Sequence, residues 1–255
     1  MKIYPLPAFN DNYIWAMVSG DLCWVVDPGS AEPVEQFLKT HSLQLEGILI
    51  THHHPDHTGG IATLNRDNTL SVVGACSASI AGLTERLGDG ESIDVLGTRF
   101  TCMNVPGHTL DHISYFALLD THPILFCGDT LFAAGCGRLF EGTAEQMWHS
   151  LSRLAALPED TDVYPAHEYT LSNLNFAVAV EPDNERLCSR LDEAISLRNR
   201  GIPTLPTTIG LEKATNPFLR ASEASIRLKA EQLSGRLLPN ESDVFAAIRR
   251  YKDNF

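Results

Sequence analysis

The chain has 255 residues, a hydrophobic fraction of 44% and a formal net charge of −13. This length suits one large domain or two smaller ones, and the apolar content suffices for a full core. The acidic charge argues against a nucleic-acid partner, because such partners are bound by neutralising their phosphates. We therefore expect a globular protein that binds no nucleic acid.

The N-terminal residues and the cysteines both favour a cytoplasmic location. Residues 1–15 lack the long apolar stretch of a secretion signal, and no apolar run approaches the length of a membrane span. The six cysteines lie scattered without a C-x-x-C pair. This pattern favours free thiols over a disulfide framework or a zinc ribbon. No membrane partner is expected.

Up to about residue 170, short apolar runs alternate with turns and helical stretches. Ser30 is predicted to cap one helix, and Thr143 with Gln146 has the spacing of a capping box for another. The predicted strands, rich in β-branched and aromatic residues, are 13–18, 23–26, 47–50, 71–74, 100–105, 124–127 and 162–164. Strands mixed with helices in this order predict a layered α/β structure.

From about residue 171 the pattern becomes helical. Leu187, Leu191 and Ile195 recur every four residues, and Ser222 and Asn240 are predicted to open two further helices. Strand signals are nearly absent here. The sequence therefore predicts an α/β domain over residues 1–170, followed by an all-helical domain over residues 171–255.

A short histidine-rich segment, residues 51–57, is the strongest functional signal. Neutral imidazole is the commonest protein ligand for transition metals. His52 and His54 share one face of an extended segment, because alternate side chains point the same way, and the following proline keeps His54 extended. The segment is neither terminal nor homopolymeric, which disfavours a tag. It predicts His52 and His54 as ligands of one metal, and Asp56 and His57 as ligands of a neighbouring one.

Four of the predicted strands each end just before a candidate ligand, and the carboxyl ends of strands are where open α/β sheets place their sites. The seven candidates are His52, His54, Asp56, His57, His108, Asp129 and His167. Seven exceed what one ion needs, since zinc sites take three or four protein ligands. Two ions roughly 3.5–4 Å apart are therefore expected, with Asp129 able to bridge them. Mixed nitrogen and oxygen ligands suit zinc, iron or manganese.

These segments resemble the metal motifs of the metallo-β-lactamase superfamily, and most closely its glyoxalase II (hydroxyacylglutathione hydrolase) family. The metal motifs are Thr-His-x-His-x-Asp-His at 51–57, Pro-Gly-His-Thr at 106–109, Cys-Gly-Asp-Thr at 127–130 and Ala-His-Glu-Tyr at 166–169. The more specific segments are 135–143, 167–170 with Asn173, 216–220 and 249–253. The resemblance covers nearly the whole chain, including the helical tail.

The resemblance implies an αββα sandwich, a helical substrate-binding domain and two divalent metal ions, with zinc favoured over iron or manganese. The implied ligands are His52, His54 and His108 for one ion, Asp56, His57 and His167 for the other, and Asp129 as the bridge. Asp27 is implied to contact a ligand histidine, which is physically sensible because ligand imidazoles donate their second N–H. On the residues alone, Asp27 before Pro-Gly fits a simple turn equally well.

The implied substrate is a small glutathione thioester, and its two carboxylates need local cations in an acidic protein. The implied substrate-binding residues are Arg138, Tyr169, Arg249 and Lys252. Without the resemblance, Arg249 and Lys252 would fit a solvated basic helix face. Asp111 stands where the family commonly has glycine, and Phe140 stands where some members have a tyrosine.

The implied reaction is hydrolysis of S-(2-hydroxyacyl)glutathione, such as S-D-lactoylglutathione, to glutathione and D-lactate, the second step of methylglyoxal detoxification. The nucleophile would be a metal-bridging hydroxide held by Asp129 and Asp56, in a monomeric enzyme. One alternative is a glutathione-persulfide dioxygenase, expected to use one iron and to lack the helical tail. Others are another binuclear-metal hydrolase of the superfamily, such as a lactamase or nuclease, and a non-catalytic metal- or peptide-binding module.

Overall fold

The computed structural model describes residues 1–255 and contains fourteen strands and nine helices. The chain divides into two compact units. Unit 1 comprises Met1–Asn104 and Asp111–Gly128, and unit 2 comprises Val105–Leu110 and Asp129–Phe255. No helix combines the length and the apolar character that crossing a bilayer requires.

Unit 1 contains a mixed sheet whose strands lie in the order β1-β2-β3-β4-β5-β6. These strands are β1 (Lys2–Ala8), β2 (Asn12–Ser19), β3 (Leu22–Val26), β4 (Gln44–Leu49), β5 (Ser71–Ala75) and β6 (Glu85–Leu87). The first three pair antiparallel, and β3 to β6 pair parallel. The helices of this unit are α1 (Ala31–His41), α2 (Pro55–Thr58) and α3 (Ile61–Leu64). The central parallel strands are buried, as expected for strands covered on both faces.

Unit 1 also contains four antiparallel strands of a second sheet. They are β7 (Ser92–Val95), β8 (Thr98–Asn104), β9 (Ile113–Leu119) and β10 (His122–Gly128). Tyr115 on β9 is fully buried, and its hydroxyl donates to the backbone oxygens of Ile50, at 2.8 Å, and Val73, at 3.2 Å. Burial raises the pKa of Tyr115 well above its ordinary value, so the phenol remains a donor. This side chain therefore joins the second sheet to the carboxyl end of the first.

Unit 2 is mostly helical. Its elements are β11 (Leu131–Phe132), β12 (Gly135–Cys136), α4 (Ala144–Ala155), β13 (Asp162–Pro165), α5 (Thr170–Val180), α6 (Glu185–Asn199), β14 (Thr207–Thr208), α7 (Ile209–Thr215), α8 (Ala224–Ser234) and α9 (Glu241–Asp253). Leu174 and Ala177 of α5 pack with Leu187 and Ala194 of α6 in one buried cluster. Leu187 and Leu191 of the predicted four-residue repeat face this cluster, whereas Ile195 is 41% exposed and does not.

All seven predicted strands are present, and the mixed α/β arrangement followed by helices is confirmed. The sequence predictions do not include β1, whose prolines at positions 5 and 7 disfavour strand, although β1 pairs only with β2 and tolerates them at the sheet edge. They also miss α5 and α7. Ser222 does not open a helix, because α8 begins at Ala224 after Glu223 at its N-cap. Ser30 does occupy the N-cap of α1, without a side-chain capping bond.

The predicted capping box at the start of α4 is confirmed. The Thr143 hydroxyl accepts from the Gln146 amide at 3.1 Å, and the Gln146 side chain accepts from the Thr143 amide at 2.8 Å. Thr143→Ala is expected to lower the free energy of unfolding by about 1 kcal/mol, measured by urea denaturation. Ser30→Ala is the matched control, because Ser30 makes no capping bond. Equal losses in both variants would show that the box contributes nothing.

Candidate metal centre

His52 and His54 present their ring nitrogens to each other in unit 1. His52 is fully buried, and its Nε2 lies 3.0 Å from Nδ1 of His54. The other nitrogen of His52 lies 3.1 Å from the Thr51 hydroxyl. The backbone of His54 is extended, with φ −59° and ψ 146°, as predicted from the following proline. The pair thus offers two converging nitrogen donors.

His57 is oriented by a carboxylate in the same unit. Its Nδ1 lies 3.0 Å from Asp27 Oδ2, and its ring is fully buried. Asp27 also accepts from the Thr51 amide at 2.7 Å and from the Thr51 hydroxyl at 2.6 Å. Donation from Nδ1 to the carboxylate leaves Nε2 without a proton and able to coordinate, which is the usual way a ligand histidine is held.

Asp56 and His57 both lie on the one-turn helix α2. Asp56 Oδ2 is 3.5 Å from His57 Nε2, and it accepts from Asn12 Nδ2 at 3.1 Å. The Asp56 side chain is 41% exposed, whereas the His57 side chain is buried. One oxygen of this carboxylate therefore lies beside the available nitrogen of His57.

In unit 2, Asp129 lies between two histidines. Its Oδ2 is 3.4 Å from His108 Nε2, and its Oδ1 is 3.3 Å from His167 Nε2. All three side chains are less than 10% exposed. His108 Nδ1 lies 2.8 Å from the Arg138 carbonyl, so it donates there and leaves Nε2 unprotonated. A carboxylate that presents each oxygen to a different imidazole has the geometry that bridging requires.

The donor chemistry of these clusters suits metal ions. Asp27, His52 and His57 each offer a ligand atom within 4.8 Å of the others. Buried imidazoles and carboxylates gathered this closely are costly without a cation to pair with them. The histidine and aspartate clusters of the chain fit a binuclear metal site, and their nitrogen and oxygen atoms suit a divalent cation.

Two further histidines, His53 in the histidine-rich segment and His112 outside it, are not proposed as ligands and make other contacts. His53 Nδ1 pairs with Asp111 Oδ1 at 2.9 Å, and the ring of His112 stacks on His52 with centroids 4.6 Å apart. Asp111 is not among the residues with positive φ. Its position in the chain therefore does not require the left-handed backbone for which a glycine is suited.

The proposed substrate-binding residues all lie in unit 2. The Tyr169 ring is parallel to the His167 ring at 4.7 Å, and the Arg138 side chain is exposed. Arg249 is 4% exposed, and its guanidinium donates to the Cys136 carbonyl at 3.0 Å. It is thus more buried than a solvated helix face would leave it.

Lys252 lies at the same end of α9. Its ammonium donates to the Ser172 carbonyl at 3.2 Å and lies 4.9 Å from the centre of the Phe176 ring. Burial, followed by the nearby Arg249 charge, lowers the pKa of Lys252 to about 8. An anionic ligand beside Lys252 would offset both effects, because it favours the charged form of the ammonium.

Sequence reasoning missed two side chains that orient the candidate ligands. Thr51 connects Asp27 to His52, and Asn12 holds Asp56. The signal for Thr51 was its place directly before His52. Asn12 gave no signal, because it lies 44 residues from Asp56 in sequence.

Two protein-family models match consecutive parts of the chain. Residues 9–75 and 76–167 match the model of the metallo-beta-lactamase superfamily. Residues 168–255 match the model of the hydroxyacylglutathione hydrolase C-terminus.

Similar proteins extend over the full chain. The hydroxyacylglutathione hydrolase of Pseudomonas aeruginosa (strain LESB58) is 55% identical, with 100% of each chain covered. That of Hahella chejuensis is 51% identical, covering 100% of this chain and 99% of the relative.

Solved structures share the fold. ETHE1 from Myxococcus xanthus aligns with a TM-score of 0.65 at 25% identity, covering 99% of this chain and 98% of its own. TTHA1623 in a di-iron-bound form aligns with a TM-score of 0.60 at 24% identity, covering 86% and 100%. The predicted metallo-β-lactamase-type α/β fold with a C-terminal helical region is therefore confirmed. The chain belongs to the hydroxyacylglutathione hydrolase family of the metallo-β-lactamase superfamily.

Proposed function

We propose that this chain hydrolyses S-(2-hydroxyacyl)glutathione thioesters, such as S-D-lactoylglutathione, to glutathione and a 2-hydroxy acid. The observation that carries the proposal is the 55% identity to a hydroxyacylglutathione hydrolase across the whole length of both chains. The matched C-terminal region supports it further, because it includes two cations, the buried Arg249 and the half-buried Lys252. This relationship favours thioester hydrolysis over the persulfide dioxygenase alternative.

The proposed ligand set has two parts. His52 and His54 of unit 1 would act with His108, and Asp56 and His57 of unit 1 would act with His167, while Asp129 bridges the two ions. The short contacts from Asp129 to two imidazoles support the bridge. When bound, the divalent ions would lower the pKa of water toward roughly 7 and stabilise a developing oxyanion. Zinc is the proposed metal, and iron or manganese would fit the same donors.

Side chains of this protein would position the attacking group. Asp129 and Asp56 would each accept a hydrogen bond from the water that supplies the attacking hydroxide and hold it toward the thioester carbonyl. The leaving thiolate has a conjugate acid of pKa about 8.5, so it departs without a strong general acid. Cys136 is not the nucleophile, because burial raises the pKa of its thiol to about 11 and it remains protonated at neutral pH.

The test combines metal analysis with a thioester assay. Purified protein is expected to hold about two ions per chain and to cleave S-D-lactoylglutathione, with activity lost on chelation and regained on adding zinc. Glutathione persulfide with an oxygen electrode is the parallel assay. One iron per chain with oxygen uptake, and no thioester loss, would overturn the proposal in favour of the dioxygenase.

Lys252 is proposed to bind a substrate carboxylate through its charge. Lys252→Ala is expected to raise KM about tenfold with little change in kcat, since one charge-assisted hydrogen bond to a remote group is lost. Because the pKa of Lys252 is about 8, the wild-type KM should rise as pH increases through 8, when the ammonium loses its proton.

The matched variant for this effect is Lys252→Arg, whose guanidinium stays charged throughout that range. Its KM is expected to be flat between pH 7 and pH 9. A wild-type KM without pH dependence, or a fall in kcat alone in Lys252→Ala, would contradict a role in substrate binding.

We further propose that residues 1–170 form the catalytic domain and residues 171–255 the substrate-binding domain of a cytoplasmic monomer. The net charge of −13 supports the absence of a nucleic-acid partner. Light scattering of the purified chain tests the monomer: a mass near 28.0 kDa is expected, and twice that mass would contradict it.

A further inference from the structure

A tight hairpin in unit 2 separates Asp129, a proposed metal ligand, from Arg138, a proposed substrate-binding residue. Strand Leu131–Phe132 pairs with Gly135–Cys136, and the turn between them places Ala134 at φ +53°. This left-handed backbone is unfavourable for an alanine, so surrounding contacts must maintain it. We refer to residues 131–136 as the hairpin. Asp129 lies just before it and Arg138 just after it.

Besides Arg249, which donates to the Cys136 carbonyl at 3.0 Å, three side chains hold the hairpin by its backbone. Asn173 donates to the Ala133 carbonyl at 3.1 Å, and Asn216 donates to the Gly135 carbonyl at 2.9 Å. Glu212 accepts from the Ala134 amide at 2.7 Å. All three side chains are buried. The turn is therefore fixed by α5 and by the end of α7.

Glu212 is the central member of this group, with no exposed surface. Its second oxygen accepts from Arg190 at 2.5 Å and from Thr207 at 2.6 Å. The oxygen that accepts from Ala134 also accepts from Asn216 at 2.9 Å. A buried carboxylate is stable only when it is paired and hydrogen-bonded to this extent, and its position is then sharply defined.

The hairpin in turn sets the ring of His108. The residue after the hairpin, Gly137, lies so close to the preceding segment that an added Cβ would stand 2.0 Å from the Asp129 carbonyl and 3.0 Å from His108 Nδ1. The next carbonyl, that of Arg138, accepts from His108 Nδ1 at 2.8 Å. Any shift of the hairpin would therefore displace the acceptor that fixes which His108 nitrogen faces Asp129.

We propose that Glu212 is a positioning residue for the metal site, acting through the hairpin on His108 and Asp129. This inference deepens the proposed function, since it rests on these two residues as ligands. It assigns the helical region a second role besides substrate binding: it sets the geometry of the ligands. Loss of such an outer contact typically costs about 10–100-fold in metal affinity or activity.

The test uses Glu212→Gln, which keeps the shape but turns an amide toward the Ala134 N–H or toward Arg190. Glu181→Gln is the matched control. Glu181 is another buried carboxylate of unit 2, held by Arg220 at 2.8 Å and Ser225 at 2.6 Å, without a bond to the hairpin. Both variants lose stability, but only Glu212→Gln should change the metal site.

Two measurements separate the variants. In metal-free protein carrying ¹⁵N-labelled histidine, the His108 Nδ1–H signal should persist in wild type and Glu181→Gln and exchange rapidly in Glu212→Gln. Zinc affinity, measured by chelator competition, should fall about tenfold or more in Glu212→Gln alone, and kcat should fall while KM stays within about twofold.

The milder variant Thr207→Val serves if Glu212→Gln does not fold, because it removes one donor to Glu212 and should produce smaller changes in the same direction. A His108 signal and a zinc affinity equal to those of the Glu181→Gln control would overturn the inference. Failure of wild type to bind two ions would instead contradict the proposed function, and the His108 signal would still decide the role of Glu212.

Discussion

Asp129→Ala is expected to abolish thioester hydrolysis and to remove at least one metal ion per chain. The Asp129 carboxylate faces His108 at 3.4 Å and His167 at 3.3 Å, so its removal deprives both imidazoles of their shared partner. Metal-assisted charge stabilisation is worth several kcal/mol, and each 1.4 kcal/mol or so is tenfold in rate. The expected loss of kcat/KM is therefore on the order of 10³-fold or more.

Elemental analysis and the lactoylglutathione assay measure both effects in the same sample. Asp129→Asn is a useful second variant, because it keeps the shape and removes the charge, and it should lose nearly as much. Asp192→Ala, on the exposed face of α6, is the control and should match wild type. If Asp129→Ala retained two ions and normal turnover, Asp129 would not be the bridging ligand.

Asp27→Asn is expected to weaken metal binding about 10–100-fold without removing any proposed ligand. Asp27 accepts from His57 Nδ1 through Oδ2 and from the Thr51 amide through Oδ1. An asparagine keeps only one acceptor oxygen, so its amide group would meet either the His57 or the Thr51 donor. His57 would then lose the bond that keeps its Nε2 available.

Backbone strain at position 27 should not contribute to the effect of this substitution. Asp27 has φ +53°, a conformation that asparagine tolerates about as well as aspartate. Because the site is buried, the variant is also expected to lose about 1–3 kcal/mol of unfolding free energy. Asp111→Asn is the control, since Asp111 contacts His53, which is not a proposed ligand. Equal zinc affinity in Asp27→Asn and wild type would show that the contact is only structural.

The proposed metal ligands could be picked out from the sequence because each lies in a local pattern. The strand that precedes each ligand carries an apolar run, and the extended backbone of His54 follows from the adjacent proline. The strands themselves appear at the expected places, since β-branched and apolar runs bounded by turns are strong local signals. The capping box at Thr143 is another short-range pattern that the structure confirms.

The supporting contacts were not predictable, because they join residues distant in sequence. Glu212 lies 78 residues from Ala134, and Arg249 lies 113 residues from Cys136. Periodicity on α7 or α9 reports only which face is buried, and says nothing about which backbone group a buried charge will meet. Asn173 and Asn216 stood out within family-like segments, but the segments alone gave them no role.

The hairpin contacts also bear on the order of events during protein synthesis. Every proposed ligand precedes residue 168, whereas Asn173, Glu212 and Asn216 are translated afterwards. A chain still attached to the ribosome can therefore expose all its ligands before it has the groups that orient His108. Ions captured at that stage would meet ligands whose supporting contacts are still missing, and we expect the mature geometry to form only once the later helices have been made.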